Sequence, residues 1–251
     1  MRFRVAALAA LSACHGPNVS KGHLPDGPYW VYTPDAHDGT AVVLLHHSGD
    51  GAAHALDPDV QADLDASGMI GVFPMGGGKV GDDWNVGVNK DHIPRDDRAF
   101  LVALAAEVRA TLGAETVWLS GFSKGGAMVY DVACLGEPAF DGFMPMSGAF
   151  QDWIPASCPS PARPIRHVQG AQDDRWPLHT EDDPESSHQG IIESLDALAA
   201  TDGGCLDEPA DDGDCDVWSS CAADVRYCTW DGGHAEPPGF LLGHRDWIDG
   251  L

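Results

Sequence analysis

The sequence predicts an α/β fold in which a mostly parallel central sheet is covered by helices on both faces. Short, continuous apolar runs recur along the chain, which is typical of strands buried on both faces. Segments with helical periodicity alternate with these runs, as expected when parallel strands are joined by crossover helices. The length of 251 residues suits one domain, because α/β folds commonly reach this size around a single core.

Six apolar runs are the strand candidates of this sheet. They cover residues 41–47, 69–75, 116–120, 140–146, 164–170 and 225–230. Residues 96–113 predict a helix, since Phe100, Leu104 and Val108 share one face and Gly113 suits its end. Residues 186–200 predict a second helix. Reactive side chains are expected in loops at the carboxyl ends of the strands, where sheets of this kind bind ligands.

The first residues, MRFRVAALAALSAC, have the layout of a signal peptide, with two arginines before a short apolar run. The run is too short to span a bilayer as a mature helix. The letters LSAC also resemble a bacterial lipobox, which predicts cleavage before Cys14 and lipid attachment to it. Ordinary secretion, with Cys14 discarded or free, is the alternative. We therefore expect a signal peptide at 1–13, a linker at 14–27 and a catalytic domain at 28–251 in an exported or envelope-anchored protein.

Cysteine usage agrees with export. Of the seven cysteines, removing Cys14 leaves an even six, which predicts up to three disulfides of undetermined pairing. The six are Cys134, Cys158, Cys205, Cys215, Cys221 and Cys228. None of them forms a Cys-x-x-Cys pair, and the acidic stretch 207–216 lacks the spacing of a calcium loop. We therefore expect no metal site.

The charge of the chain excludes several classes of partner. Its 39 acidic and 14 basic residues give a formal net charge of −25. Nucleic acids and anionic membranes are bound through basic patches, so neither is an expected partner. We expect a monomer that contacts a membrane only through the lipid anchor.

A Gly-x-Ser-x-Gly motif at 121–125 lies between a predicted strand and an apolar helix, which is the setting of a nucleophile elbow. A serine in such a strained turn brings the residues two before and two after it together, and glycines at 121 and 125 avoid a collision. Ser123 would then be exposed above the sheet. The amide of Lys124 would point toward a developing oxyanion.

A serine nucleophile needs a base and an acid, which in this arrangement follow it in the order acid, then histidine. Five of the twelve histidines follow Ser123: His167, His179, His188, His234 and His244. We select His234, because it alone comes directly after a predicted strand and has two glycines before it. For the acid we select Asp173, in the loop after strand 164–170, with Asp174 as the runner-up.

The second oxyanion donor is expected from the loop after strand 41–47, where the sequence HHSGDGAA offers the amide of His47 or Ser48. His46 and His47 could also suggest a metal site. Neighbouring histidines on a strand point in opposite directions, however, and no acidic third ligand is fixed nearby.

Six motifs resemble those of secreted polyhydroxybutyrate depolymerases and feruloyl esterase-like α/β-hydrolases. They are LLHHSGDGA, DDWN, DDRAFLVAL, WLSGFSKGGAM, VQGAQDDRWPL and YCTWDGGH, and the resemblance runs from about residue 28 to the end. It implies the α/β-hydrolase fold, with Ser123 as nucleophile, Asp173 as acid, His234 as base and an oxyanion loop at His47 and Ser48.

The sequence departs from the pattern of this family at two positions, and the resemblance points to two aromatic residues that could contact the substrate. His47 stands where the family usually has glycine, and Gln169 replaces a histidine. Trp84 matches an aromatic residue near the family's pocket, and Trp176 follows the acid loop, so both are candidates for stacking on the substrate.

These observations predict a serine carboxylic ester hydrolase that needs no cofactor and acts on a small or polymer-derived ester. Two alternatives stay open at this stage. One is a surface lipoprotein that has the fold but only binds a ligand, and the other is a peptidase or acyltransferase with the same triad, since the fold does not determine the bond cleaved.

Overall fold

The computed structural model describes residues 18–51, 53–87, 93–136, 138–155, 158, 163–199, 209–218 and 220–251. Within these ranges the chain forms one ten-stranded sheet. Its strands are β1 Val19–Leu24, β2 Gly27–Tyr32, β3 Thr40–Leu45, β4 Ile70–Pro74, β5 Thr116–Phe122, β6 Gly142–Met146, β7 Ile165–Gly170, β8 Ala210–Asp212, β9 Cys215–Trp218 and β10 Val225–Trp230. The helices are α1 Pro58–Ser67, α2 Asp97–Leu112, α3 Lys124–Ala133, α4 Ile191–Ala199 and α5 Phe240–Asp249, with short 3-10 turns at Ala53–Leu56 and Thr180–Asp182.

The strand order is β1-β2-β4-β3-β5-β6-β7-β10-β9-β8. The six central strands, from β4 to β10 in this order, are all parallel to one another. They are the six strands predicted from the sequence, which confirms the predicted class. The four outer strands pair antiparallel, two at each edge of the sheet.

Two apolar cores lie on opposite faces of the sheet, because successive side chains of each buried strand point to opposite sides. On β3, Val43 belongs to one core while Val42 and Leu44 belong to the other. Helices α2, α3 and α4 cover the first core, and α1 and α5 cover the second. The predicted layering, with helices on both faces, is therefore confirmed.

The helix predicted at 96–113 forms as α2. Asp96 caps its start by accepting a hydrogen bond from the Ala99 amide at 3.2 Å, and Gly113 ends it in the left-handed conformation with φ 67°. The helix predicted at 186–200 begins only at Ile191. Before it, His188 instead forms an isolated antiparallel β-bridge with Gln151.

The linker predicted at 14–27 is wrong in its second half. Residues from Val19 onward form β1, which pairs with β2 along its full length, from Val19 opposite Tyr32 to Leu24 opposite Gly27. The side chains of β1 alternate between exposed and half-buried, as at a sheet edge, so they form no continuous apolar run. The predicted signal peptide and Cys14 lie outside the described residues.

Disulfides join Cys134 to Cys158 and Cys215 to Cys228, and Cys221 is also disulfide-bonded. Cys205 lies outside the described residues. The second of these bonds crosses between the adjacent strands β9 and β10, whereas the first ties the end of α3 to a later loop. In the part of the chain that the structure describes, no helix is long and apolar enough to cross a membrane.

Candidate active site

Ser123 lies at a sharp turn between β5 and α3, with φ 55° and ψ −118°. Positive φ is costly for a residue with a side chain, and here neighbouring backbone holds it. The Ser123 amide donates to the Met146 carbonyl at 2.9 Å, and its own carbonyl accepts from the Ala127 amide at 3.0 Å. The strained turn places the hydroxyl at the amino-terminal end of α3, where the helix dipole favours developing negative charge.

The two motif glycines are required by close backbone packing. A Cβ atom on Gly121 would lie 2.6 Å from the carbonyl carbon of Gly125, and one on Gly125 would lie 2.7 Å from the carbonyl oxygen of His46. Both distances are shorter than any real side chain could accept. The turn thus has the geometry expected of a nucleophile elbow.

Three residues far apart in the sequence converge at this turn. Nε2 of His234 lies 2.9 Å from Oγ of Ser123, and Nδ1 of the same ring lies 2.9 Å from Oδ2 of Asp173. The side chain of Asp173 is fully buried and that of His234 is 14% exposed. An Nδ1–H directed at the carboxylate leaves Nε2 as an acceptor for the serine proton, which is the tautomer a general base needs.

Asp173 is positioned by backbone amides that follow it in its own loop. Its Oδ1 accepts hydrogen bonds from the backbone amides of Arg175 at 2.9 Å and Trp176 at 3.4 Å. Burial raises the pKa of the Asp173 carboxyl, but hydrogen bonds led by the one from His234 outweigh it, so the net shift is downward. The carboxylate is therefore charged at neutral pH. Asp174, the runner-up from the sequence, is exposed and does not contact the imidazole.

The loop after β3 is oriented by two imidazole rings. Nδ1 of His46 lies 2.7 Å from the carbonyl of His47, and Nδ1 of His47 lies 2.8 Å from the carbonyl of Ser48. Nε2 of His46 accepts from the Gly76 amide at 3.2 Å, so both of its ring nitrogens are engaged with backbone groups. Burial lowers the pKa of His46, which keeps the ring neutral. Among the described residues, no three His, Cys, Asp or Glu side chains are grouped to hold a metal.

Asp83 joins the two segments that would supply the oxyanion donors, and the sequence alone did not point to it. Its Oδ2 accepts from Nζ of Lys124 at 2.8 Å, while its Oδ1 accepts from the hydroxyl of Ser48 at 3.1 Å and from the Trp84 amide at 3.0 Å. One carboxylate thus ties the elbow to the loop after β3. Asp83 lies in the motif DDWN, next to the tryptophan that the resemblance singles out.

Trp84, which the sequence made a candidate for stacking on the substrate, packs against the loop after β3. Its side chain is fully buried, and Nε1 donates to the carbonyl of His46 at 2.7 Å. The indole also packs on the imidazole of His46, with 4.8 Å between the ring centroids. The sequence shows that an aromatic residue is close to the site but not which side of the loop it occupies. In the structure, the indole packs against the loop after β3 and supports it.

A cavity of about 280 Å³ opens beside the Ser123 hydroxyl. It is lined by Ser48, Ser123, Lys124, Gln151, Arg175, Trp176 and His188. Trp176, the other aromatic candidate for a substrate contact, lies in this wall, and its ring stacks on the imidazole of His188 at 4.0 Å. Ser48 and Lys124 also line the cavity, whereas His47 does not, so Ser48 is the better placed of the two loop candidates.

Solved structures similar to this chain share its whole architecture. An acetyl xylan esterase from Aspergillus awamori superposes with a TM-score of 0.66 at 15% identity, covering 93% of this chain and 99% of its own. A carboxylesterase from Mesorhizobium loti superposes with a TM-score of 0.64 at 16% identity, covering 93% of this chain and 100% of its own. The Bacillus cereus carboxylesterase superposes with a TM-score of 0.54 at 14% identity, covering 88% of this chain and 93% of its own.

The chain has the α/β-hydrolase fold. At these identities the similarity establishes the fold and nothing finer. No protein-family model matches the sequence, and no curated protein is similar enough to count as a relative. The assignment of particular roles in this chain therefore depends on the geometry of its own site.

Two further histidines of the α/β-hydrolase core are buried and hydrogen-bonded away from the site. Nδ1 of His167 lies 2.9 Å from the hydroxyl of Tyr130, and its Nε2 lies 3.2 Å from Oε1 of Gln169. His244 lies between Ser120 and Arg166. Burial lowers the pKa of His167 to about 4 and that of His244 well below its usual value. Neither ring can act as the base for Ser123.

Proposed function

We propose that this protein is a serine carboxylic ester hydrolase. The observation that carries the proposal is the unbroken hydrogen-bonded chain from Ser123 through His234 to Asp173, with 2.9 Å at each step. The esterases with similar structures support it at the level of reaction class, because the same fold carries ester hydrolysis in those proteins.

In the proposed reaction, Oγ of Ser123 attacks the ester carbonyl while Nε2 of His234 takes its proton. The backbone amides of Lys124 and of the loop at Ser48 stabilise the negative oxygen that forms. Protonated His234 is stabilised by the buried Asp173 carboxylate and then gives its proton to the leaving alcohol. A water molecule, activated by the same imidazole, attacks the acyl-serine and releases the acid. No step requires a cofactor.

The finer assignment, to esters of the feruloyl or polyhydroxybutyrate type, rests on the sequence motifs and on the wall of the cavity. Trp176 lies in the wall next to the nucleophile, where its side chain is almost fully buried and stacks on His188. An aromatic residue in the wall suits a phenolic acyl group or a short hydroxyacid unit. We include both classes in the proposal.

The test is hydrolysis of 4-nitrophenyl acetate and butyrate by the wild type, by Ser123→Ala and by the control Ser20→Ala, which alters an exposed serine of β1. We expect loss of activity only in Ser123→Ala, with unchanged circular dichroism, and labelling of the wild type by a fluorophosphonate probe. Equal activity in Ser123→Ala would refute the assignment. Absence of both turnover and labelling in the folded wild type would favour the binding protein without catalysis, and faster turnover of matched amides would favour a peptidase.

We also propose that the enzyme is exported and anchored through Cys14. The lipobox-like sequence supports this, as do the disulfides Cys134–Cys158 and Cys215–Cys228, since such bonds persist in oxidising compartments. Expression in a bacterial host with radiolabelled palmitate should label the wild type in the membrane fraction but not Cys14→Ser. Equal labelling of the two proteins, or none in either, would contradict anchoring at this residue.

A further inference from the structure

The wall of the cavity carries a charge opposite to that of the chain. Among its described lining residues none has a carboxylate, whereas two, Lys124 and Arg175, are cationic. The chain as a whole has a net charge of −25. Lys124 is neutralised locally by its ion pair with Asp83 at 2.8 Å. The lining therefore retains one uncompensated positive charge, on Arg175.

Arg175 differs from most arginines of this acidic protein in having no ion pair with any described carboxylate. Five of the eight described arginines pair with aspartates: Arg95, Arg98, Arg109, Arg226 and Arg245. Asp174 is adjacent to Arg175 in sequence and is exposed, yet the two side chains do not form a salt bridge. A guanidinium left unpaired in a chain with 39 acidic residues is available to an external anion.

The backbone of Arg175 is fixed relative to the nucleophile. Its amide donates to Oδ1 of Asp173 at 2.9 Å, and its carbonyl accepts from Nδ1 of His188 at 2.8 Å. His188 in turn stacks on Trp176 with an angle of 15° between the rings. Arg175 thus belongs to the same short loop as Asp173, the residue that is hydrogen-bonded to His234.

The rest of the wall offers polar groups as well as apolar surface. Ser48, Gln151 and His188 line it together with Trp176. A purely alkyl substrate would leave the polar groups of the wall without hydrogen-bonding partners, which is costly. A substrate with polar groups of its own fits better.

We infer that the preferred substrate is an ester bearing a free carboxylate, which pairs with Arg175 while the ester carbonyl lies at Ser123. This inference rests on the proposed function and specifies its substrate class. The overall negative charge does not oppose it strongly, since exposed charges beyond about 8 Å are screened at physiological salt. The arginine fork also matches a carboxylate through two parallel hydrogen bonds.

The test compares each carboxylate ester with a carboxamide of the same shape. One pair places the charge in the acyl part, as methyl hydrogen succinate against methyl succinamate, and the other places it in the alcohol, as 4-acetoxybenzoate against 4-acetoxybenzamide. The ratio of kcat/KM within each pair is measured for the wild type, for Arg175→Gln and for the matched control Arg163→Gln. The control removes one positive charge from a half-buried arginine outside the cavity lining.

We expect the wild type to prefer the carboxylate in one pair by about fivefold, as for an exposed charge pair, mainly through KM. The ratio should fall to about one in Arg175→Gln, stay unchanged in Arg163→Gln, and decrease with added sodium chloride. The pair that shows the preference identifies the side of the ester that faces Arg175. Turnover of the neutral esters with no carboxylate preference in either pair, or a preference that survives Arg175→Gln, would overturn the inference while leaving the esterase proposal standing. Failure to hydrolyse any ester or to bind a fluorophosphonate would overturn both.

Discussion

Replacing Asp173 by Asn tests the proposed chemistry most directly. The amide has nearly the same shape as the carboxylate, and its Oδ1 can still accept from the Arg175 and Trp176 amides, which now sit at 2.9 and 3.4 Å. Its NH2 group then occupies the position of Oδ2, 2.9 Å from Nδ1 of His234. Because an NH2 group can only donate, Nδ1 becomes the acceptor and the ring proton moves to Nε2.

The resulting tautomer points its proton at Oγ of Ser123, so the ring cannot act as a base. The positive charge that forms on the imidazole also loses its buried counter-ion, whose side chain has no exposed surface in this protein. Wrong tautomer and lost charge together are expected to reduce kcat by about 10³ to 10⁴-fold, or roughly 4 to 5 kcal/mol in activation free energy.

The assay is the initial rate of 4-nitrophenyl acetate hydrolysis at pH 7.5, with Asp174→Asn as the matched control. Asp174 is exposed and has no contact with the ring, so its variant should keep a rate within about twofold of the wild type, as for a surface change. A large loss in Asp174→Asn with near-normal activity in Asp173→Asn would show that the acid assignment is wrong.

Three other predictions concern residues that support the site. Asp83→Ala should lower kcat about tenfold with little change in KM, because Lys124 and the loop after β3 lose their common anchor. The control Asp82→Ala should leave kcat unchanged, and equal rates in the two variants would contradict the anchoring role. Trp84→Phe keeps the aromatic packing but removes the hydrogen bond to the buried carbonyl of His46, so the free energy of unfolding measured in urea should fall by about 1 to 2 kcal/mol. An unchanged urea midpoint would exclude that contribution. Burial lowers the pKa of His167 from 6.5 to about 4 in the folded state, so this residue favours folding above pH 6.5 and loses that contribution as pH falls toward 4. The variant His167→Gln should therefore flatten the pH dependence of the unfolding free energy by roughly 3 kcal/mol across that window. A change at the exposed His37 should leave this pH dependence as it is.

The parts of the fold that could be predicted are those with a strong local signal. Strands β3, β4 and β6 are buried along their full length and are therefore largely apolar runs, whatever their partners. The edge strands are half exposed, and β8 is exposed throughout, so their sequences resemble loops. Helix α1 was not predicted, although Asp57 caps its start and Gly68 ends it, because only Val60 and Leu64 supply its apolar face.

The candidate site also has parts that the sequence predicts and parts that it does not. Gly-x-Ser-x-Gly is a local pattern with one mechanical explanation, and the chain order of acid and base selected Asp173 and His234. The residues that line the rest of the cavity show no comparable pattern in the sequence. His188 reaches the cavity because its strand-like segment pairs with Gln151, and that pairing is a tertiary event between two polar loops. The orientation of Trp84 is likewise set by the carbonyl it binds rather than by its neighbours in sequence.

The acid loop links catalysis to recognition through a single residue. The amide of Arg175 helps to fix the carboxylate that orients His234, and the same residue lines the cavity. An anion that draws the guanidinium inward would pull on the same short loop that holds Asp173. A substitution that shifts the backbone at 175 should therefore change kcat as well as KM, whereas Arg175→Gln preserves the amide and should act mainly on KM. Arg175→Pro, which removes the amide hydrogen, is expected to lower kcat on neutral esters too, and a pure KM effect in that variant would separate the two roles.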